Sequence, residues 1–119
     1  GIVLSGRCVV GIADAAAPPE FRKRARIADA RAVITVDSYI RDGKEHAIYS
    51  KVVESGGPRA IVIPRIGGRA RLVREDDMMW ADFLSDREAY VAVPCRPGDH
   101  TNILFSSGTT KDPKAIPWT

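Results

Sequence analysis

Histidine and cysteine are scarce in this chain, with two of each. No spacing among Cys8, His46, Cys95 and His100 fits a zinc motif, so no metal ligand set is expected. The two cysteines lie far apart in sequence. They could pair, but two buried thiols in a reducing cytosol is the better reading, and a cytoplasmic location is expected. Aromatic residues make up only 7%. None interrupts the basic cluster Arg22, Lys23, Arg24 and Arg26, so a base-stacking platform is missing. Net charge is only +3, too small a bias to argue for nucleic acid. No apolar run approaches the ~20 residues needed to cross a bilayer. The opening Gly-Ile-Val-Leu has no basic leader region, and the chain neither starts on Met nor ends on a capped tail. A piece of a longer protein is the expectation.

What is present is globular composition: 119 residues, 45% hydrophobic and 28% charged, enough for one domain at most. Residues 2–5 read as a last helical turn closed by Gly6. The apolar run 8–13 reads as a strand buried on both faces. A helix is expected over 20–29, entered through Pro19, with Phe21, Ala25 and Ala28 on its buried face. Its basic residues read as a solvated face, with a nucleic-acid or coenzyme patch as the weaker reading. A second strand is expected at 32–36, and Asp42-Gly43 marks a turn. A helix over 45–54 would bury Ile48-Tyr49 and Val52-Val53, four residues apart. A third strand follows at 60–63. Asp76 or Asp77 is expected to cap a helix that turns Met79, Trp80, Phe83 and Leu84 inward. Residues 65–74 allow a short hairpin. Residues 86–101 read as a linker to a fourth strand at 103–105. Strands alternating with helices imply an α/β fold, a mostly parallel sheet with covering helices.

Chemistry concentrates in the loop that follows. Ser106, Ser107, Thr109 and Thr110 supply hydroxyls, Gly108 lets backbone approach a ligand, and Lys111 and Lys114 add positive charge. In such sheets ligands gather at the carboxyl ends of strands, where this loop begins. An anion is the expected ligand. The loop is not a Walker A motif. In the frame from Gly108, Pro113 takes the place of the second glycine and has no N–H to offer a phosphate. Ala115 replaces the hydroxyl residue that would bind magnesium. Ile116 precedes Pro117 and is driven towards extended backbone, where a Walker loop opens a helix.

Phe105-Ser106-Ser107-Gly108-Thr109-Thr110, followed by Pro113-Lys114, resembles the phosphate-loop signature of the adenylate-forming superfamily. That family's pattern is an aromatic, two hydroxyl residues, Gly, Thr, a hydroxyl residue, Gly, any residue, Pro and Lys. The wording is most similar to acyl-CoA synthetases. The resemblance implies that residues 1–119 form a partial subdomain of the large N-terminal domain of such an enzyme, with 102–119 as strand, phosphate loop and strand. It implies an AMP-forming ligase that uses ATP with Mg2+, activates a small carboxylic acid, and transfers the acyl group to coenzyme A. Ser106, Ser107, Gly108, Thr109, Thr110, Lys111 and Lys114 would hold the nucleotide, with Lys114 also catalytic. No nucleic-acid partner and no membrane span are implied. The other readings are an adenylation domain serving a different acyl acceptor, and a non-catalytic nucleotide-binding module. Lys111 departs from the family pattern by occupying a glycine slot. A second cation for pyrophosphate and a disturbed loop are both open there. The remaining site residues of the family lie downstream of the loop, so the 119-residue chain alone is expected to be inactive.

Overall fold

Apolar runs rich in β-branched residues form the two paired strands at 32–36 and 59–63. In the computed structural model, residues 1–65, 70–106 and 112–119 are described. A 3-10 turn at Val3–Ser5 ends on Gly6 in the left-handed conformation at φ 73°. Strand β1, Val9–Val10, follows. Helix α1 spans Pro18–Ile27, with prolines in its first turn, where no intrahelical N–H bond is needed. Then come β2 (Ala32–Val36), β3 (Ser38–Arg41), β4 (Lys44–Ala47) and helix α2 (Ile48–Ser55). The remaining elements are β5 (Arg59–Ile63), β6 (Met78–Met79), the short helix α3 (Trp80–Phe83), β7 (Asn102–Phe105) and β8 (Ala115–Trp118).

The fold is mixed α/β, but among the described residues the strands do not join into one sheet. Among the described residues, β2, β5 and β6 form a parallel sheet with β5 in the middle. Strands β1, β7 and β8 form a second sheet, in which β7 runs parallel to β1 and antiparallel to β8. Strands β3 and β4 stand apart as an antiparallel hairpin. The expected strand at 8–13 shortens to Val9–Val10 and pairs with β7 rather than β2. Gly11 weakens the run, and the chain leaves the sheet there. Both cysteines are exposed and unpaired, contrary to the expected burial. Cys8 precedes an edge strand, and Cys95 lies in a segment without helix or strand.

The core sits between α2 and the β2–β5 pair. Tyr49, Val52, Ala60 and Val62 are buried together, with Phe21 of α1 and Val33 of β2 packed against them. Helix α2 turns Tyr49, Val52 and Ser55 inward, positions that share one helical face. Central β5 buries Ala60, Ile61 and Val62 in succession, as a parallel strand covered on both sides does. Edge strand β2 buries Thr35 but leaves Ile34 and Val36 partly exposed.

Two more expectations are corrected. The helix expected to start at 45 starts at Ile48, because 38–47 is a hairpin. Its turn residues, Asp42 and Gly43, both have positive φ (52° and 74°), the pair of conformations a two-residue hairpin turn requires. Asp77 caps no helix: α3 has Met79 as its N-cap residue, without a side-chain cap bond. Residues 78–79 instead run beside β5. Phe83 and Leu84 face outward, 47% and 52% exposed. The hairpin allowed within 65–74 falls partly outside the described residues, and 70–74 contain no strand.

Candidate functional site

Strand β7 delivers the chain to the hydroxyl-rich loop that follows Phe105. It lies in the centre of its sheet, with β1 on one side and β8 on the other. Asn102 pairs with Trp118 and Phe105 with Ala115, so β7 and β8 form the two limbs of a stem. At the loop end, the Ser106 N–H donates to the Lys114 carbonyl at 3.0 Å. At the other end, the Thr101 N–H donates to the Trp118 carbonyl at 2.8 Å. The loop base is therefore fixed by backbone, independent of side-chain chemistry. Pro117 fits because β8 is an edge strand, where a missing N–H is tolerated. Residues 115–118 are extended rather than helical, which agrees with the exclusion of a Walker geometry.

Of the predicted ligand residues, Ser106 and Lys114 are brought together at this base. Ser106 is half-buried and Lys114 is exposed. The expectations for Ser107, Gly108, Thr109, Thr110 and Lys111 lie outside the described residues.

Helix α1 reaches both limbs of the stem. The Arg24 guanidinium lies 5.8 Å from the centre of the Phe105 ring, within cation–π range. Glu20, one turn earlier, accepts from Arg24 Nη1 at 2.7 Å. On the other limb, Lys23 Nζ lies 3.2 Å from the Asp112 carboxylate. Lys23, Arg22, Arg26 and Asp112 line an open cleft of about 650 Å³ beside the two prolines of α1. The solvated-face reading of this basic cluster holds for Arg22 and Arg26, which are exposed, but not for Lys23 and Arg24. The charges were visible in the sequence. Their pairing with residues far along the chain was not.

Sequence reasoning also missed a buried hub at Asp77, which is 6% exposed. Its carboxylate accepts from Ala60 N–H (2.7 Å), Tyr49 O–H (2.5 Å), Arg74 Nε (2.8 Å) and Arg74 Nη2 (3.0 Å). Arg74 further donates to the carbonyls of Gly57 and Pro58. Burial pushes the Asp77 carboxyl up, but the donors from Arg74, Tyr49 and Ala60 together hold it below the ordinary value of 3.8. This hub ties α2 and β5 to the 73–77 segment, since Val73 N–H also donates to Tyr49 Oη. It is a scaffold feature rather than a ligand site, because among the described residues no buried side-chain polar atom lacks a hydrogen-bond partner.

A smaller cavity of about 200 Å³ lies among α1, α2, β2 and residues 12–16. Its charged lining groups are Asp14 and Lys51. Tyr39 Oη donates to the Asp14 carboxylate, and Lys51 Nζ donates to the Asp14 carbonyl at 3.1 Å. The Tyr39 bond holds the Asp14 carboxyl below its usual range and raises the Tyr39 phenol in turn. Among the described residues, no three His, Cys, Asp or Glu side chains cluster as a metal site. No helix among the described residues is long and apolar enough to cross a membrane.

Comparison with known proteins gives this geometry its context. No family model matches the chain. The sequence is 46% identical over 124 residues to probable acyl-activating enzyme 17, peroxisomal, of Arabidopsis thaliana, covering 99% of this chain and 17% of that protein. It is 45% identical to hexanoyl-CoA synthase of Cannabis sativa, with the same coverage of each chain. The chain thus spans about 17% of the length of these relatives. Among solved structures, an acyl-CoA synthetase of Brucella canis shares the fold at a TM-score of 0.72 and 23% identity, over 94% of this chain and 18% of that one. By its relatives the chain matches a segment of the acyl-CoA synthetases, and the Brucella canis structure shares its fold.

Proposed function

We propose that this chain supplies the loop that grips the β- and γ-phosphates of ATP in an AMP-forming ligase. The complete protein would activate a small carboxylic acid and pass the acyl group to coenzyme A. The observation that carries this reading is the β7–β8 stem. A hydroxyl- and lysine-bearing loop leaves the carboxyl end of a strand, closed at its base by the Ser106–Lys114 backbone bond. Support comes from sequence kinship to proteins named as acyl-activating enzyme and hexanoyl-CoA synthase.

In the reaction, a carboxylate oxygen attacks the α-phosphorus of ATP. The bond from that phosphorus to the bridging oxygen breaks, and pyrophosphate leaves with the electron pair. The thiol of coenzyme A then attacks the acyl carbon and displaces AMP. The loop acts in the first half. Negative charge grows on the departing pyrophosphate, and preorganised donors stabilise it without reorganising water. Lys114, fixed in register by β8, would place its ammonium there. Ser106, Ser107, Thr109 and Thr110 would donate hydroxyl hydrogens, with backbone N–H groups near Gly108 beside them. Magnesium supplies charge neutralisation when bound with the nucleotide. The described residues offer no ligand cluster for it.

Lys111 favours a second reading, since it stands where the family pattern has glycine. In that reading the protein binds nucleotide without catalysis. Carboxylate-dependent exchange of labelled pyrophosphate into ATP by the complete protein separates the two. Exchange supports the ligase; ATP binding without exchange for any carboxylate tested supports the binding module. Transfer to coenzyme A, rather than to a carrier thiol, rests on the name of the hexanoyl-CoA synthase relative. A cytoplasmic location is the first reading of the compartment. The peroxisomal names of two relatives give the alternative compartment, and imaging of the tagged protein distinguishes them.

A further inference from the structure

We propose that Lys23 is a positioning residue for the phosphate loop and acts on it through Asp112. The inference rests on the phosphate-grip reading above. Asp112 stands two positions before Lys114, on the limb that descends from the loop into β8. Its carboxylate lies 3.2 Å from Lys23 Nζ. The opposite limb is held from the same helix, where Arg24 sits over Phe105 and is itself fixed by Glu20. One turn of α1 therefore holds Phe105 at the end of β7 and Asp112 on the loop side of the Ser106–Lys114 bond.

The pair has an electrostatic consequence as well as a geometric one. An unpaired Asp112 would set a negative charge beside a loop that must receive pyrophosphate. Lys23 offsets that charge and draws the carboxylate towards α1. Helix α1 is anchored in turn, because Ala25 is buried and Phe21 packs on the core. The solvated-face reading of the basic cluster gives Lys23 no such task.

Asp112 is 71% exposed and Lys23 39% exposed, so the coupling is that of a surface pair. An exposed pair of this kind corresponds to an effect of about two- to five-fold. The test uses the complete protein, with ATP–pyrophosphate exchange at low ionic strength. Lys23→Ala should raise the KM for ATP by that factor while kcat and the melting temperature stay near wild type. Lys23→Arg should retain the wild-type KM. In an Asp112→Asn background, Lys23→Ala should have no further effect, whatever Asp112→Asn does alone. Raising the salt to ~1 M should erase the Lys23→Ala difference, since charges of this exposure are then screened. An unchanged KM in Lys23→Ala, or the same loss in both backgrounds, overturns the proposal. Wild-type protein that exchanges no pyrophosphate overturns the phosphate-grip reading itself, a distinct result.

Discussion

Replacing Asp77 by alanine removes the acceptor that joins Ala60, Tyr49 and Arg74. Ala60 is fully buried, so its N–H would be left without a partner. An unsatisfied buried donor costs about 1–3 kcal/mol. The Arg74 side chain, 26% exposed, would lose its counter-ion but keep the Gly57 and Pro58 carbonyls. Breaking a buried ion pair by removing one partner costs about 3–5 kcal/mol, and the retained carbonyl bonds and partial exposure place Asp77→Ala near the lower end, about 3 kcal/mol. Asp77→Asn keeps one carbonyl oxygen for Ala60 and should cost roughly 1–2 kcal/mol. Urea unfolding of the complete protein, followed by tryptophan fluorescence, measures both. The pH dependence has a definite sign. A carboxyl held below its ordinary value of 3.8 stabilises fully above that value and loses its contribution as pH falls through the lower folded value. The gap between wild type and Asp77→Asn should therefore be constant from pH 7 to pH 5 and close only in strong acid. An Asp77→Ala protein within about 0.5 kcal/mol of wild type, the range of ordinary surface substitutions, would refute the hub.

Tyr49→Phe should cost about 1–2 kcal/mol, because one hydroxyl serves both Asp77 and Val73 N–H, read in the same unfolding assay. Gly6→Ala should lower the melting temperature: φ is 73°, worth roughly 1–2 kcal/mol of strain, and the added methyl would meet Val93 Cγ1 at 2.8 Å. Lys111→Gly should raise the rate of ATP–pyrophosphate exchange if lysine disturbs the loop, and an unchanged rate would sink that idea. The 119-residue chain alone should form no acyl-adenylate, which mass spectrometry of its reaction with ATP and hexanoate checks.

Local pattern carried much of the fold into the sequence. The strands at 32–36 and 59–63 are β-branched apolar runs, and α1 and α2 show their buried faces as helical spacing. The turn at Asp42-Gly43 was legible, but the short polar strands on either side of it were not, and the apolar residues just after them drew the helix start too early. Sheet membership was not legible. Strand β1 is two residues long and finds its partner in β7, a choice that no local periodicity encodes. Asp77 was misread for a related reason: aspartate before a short helix is a capping signal, while Ala60 and Tyr49 compete for it from distant positions. For the candidate site, the residue types of the loop stood out by composition alone. The stem that fixes Ser106 against Lys114, and the reach of Lys23 to Asp112, depend on tertiary placement.

The central claim is that this loop grips ATP phosphates during adenylation, and Lys114→Ala in the complete protein tests it most directly. The Lys114 side chain is exposed, so its removal should leave the melting temperature near wild type. Carboxylate-dependent ATP–pyrophosphate exchange should fall by about 10²–10³-fold, the scale set by deleting one preorganised donor to a developing anion. Exchange by Lys114→Ala at the wild-type rate would contradict the account.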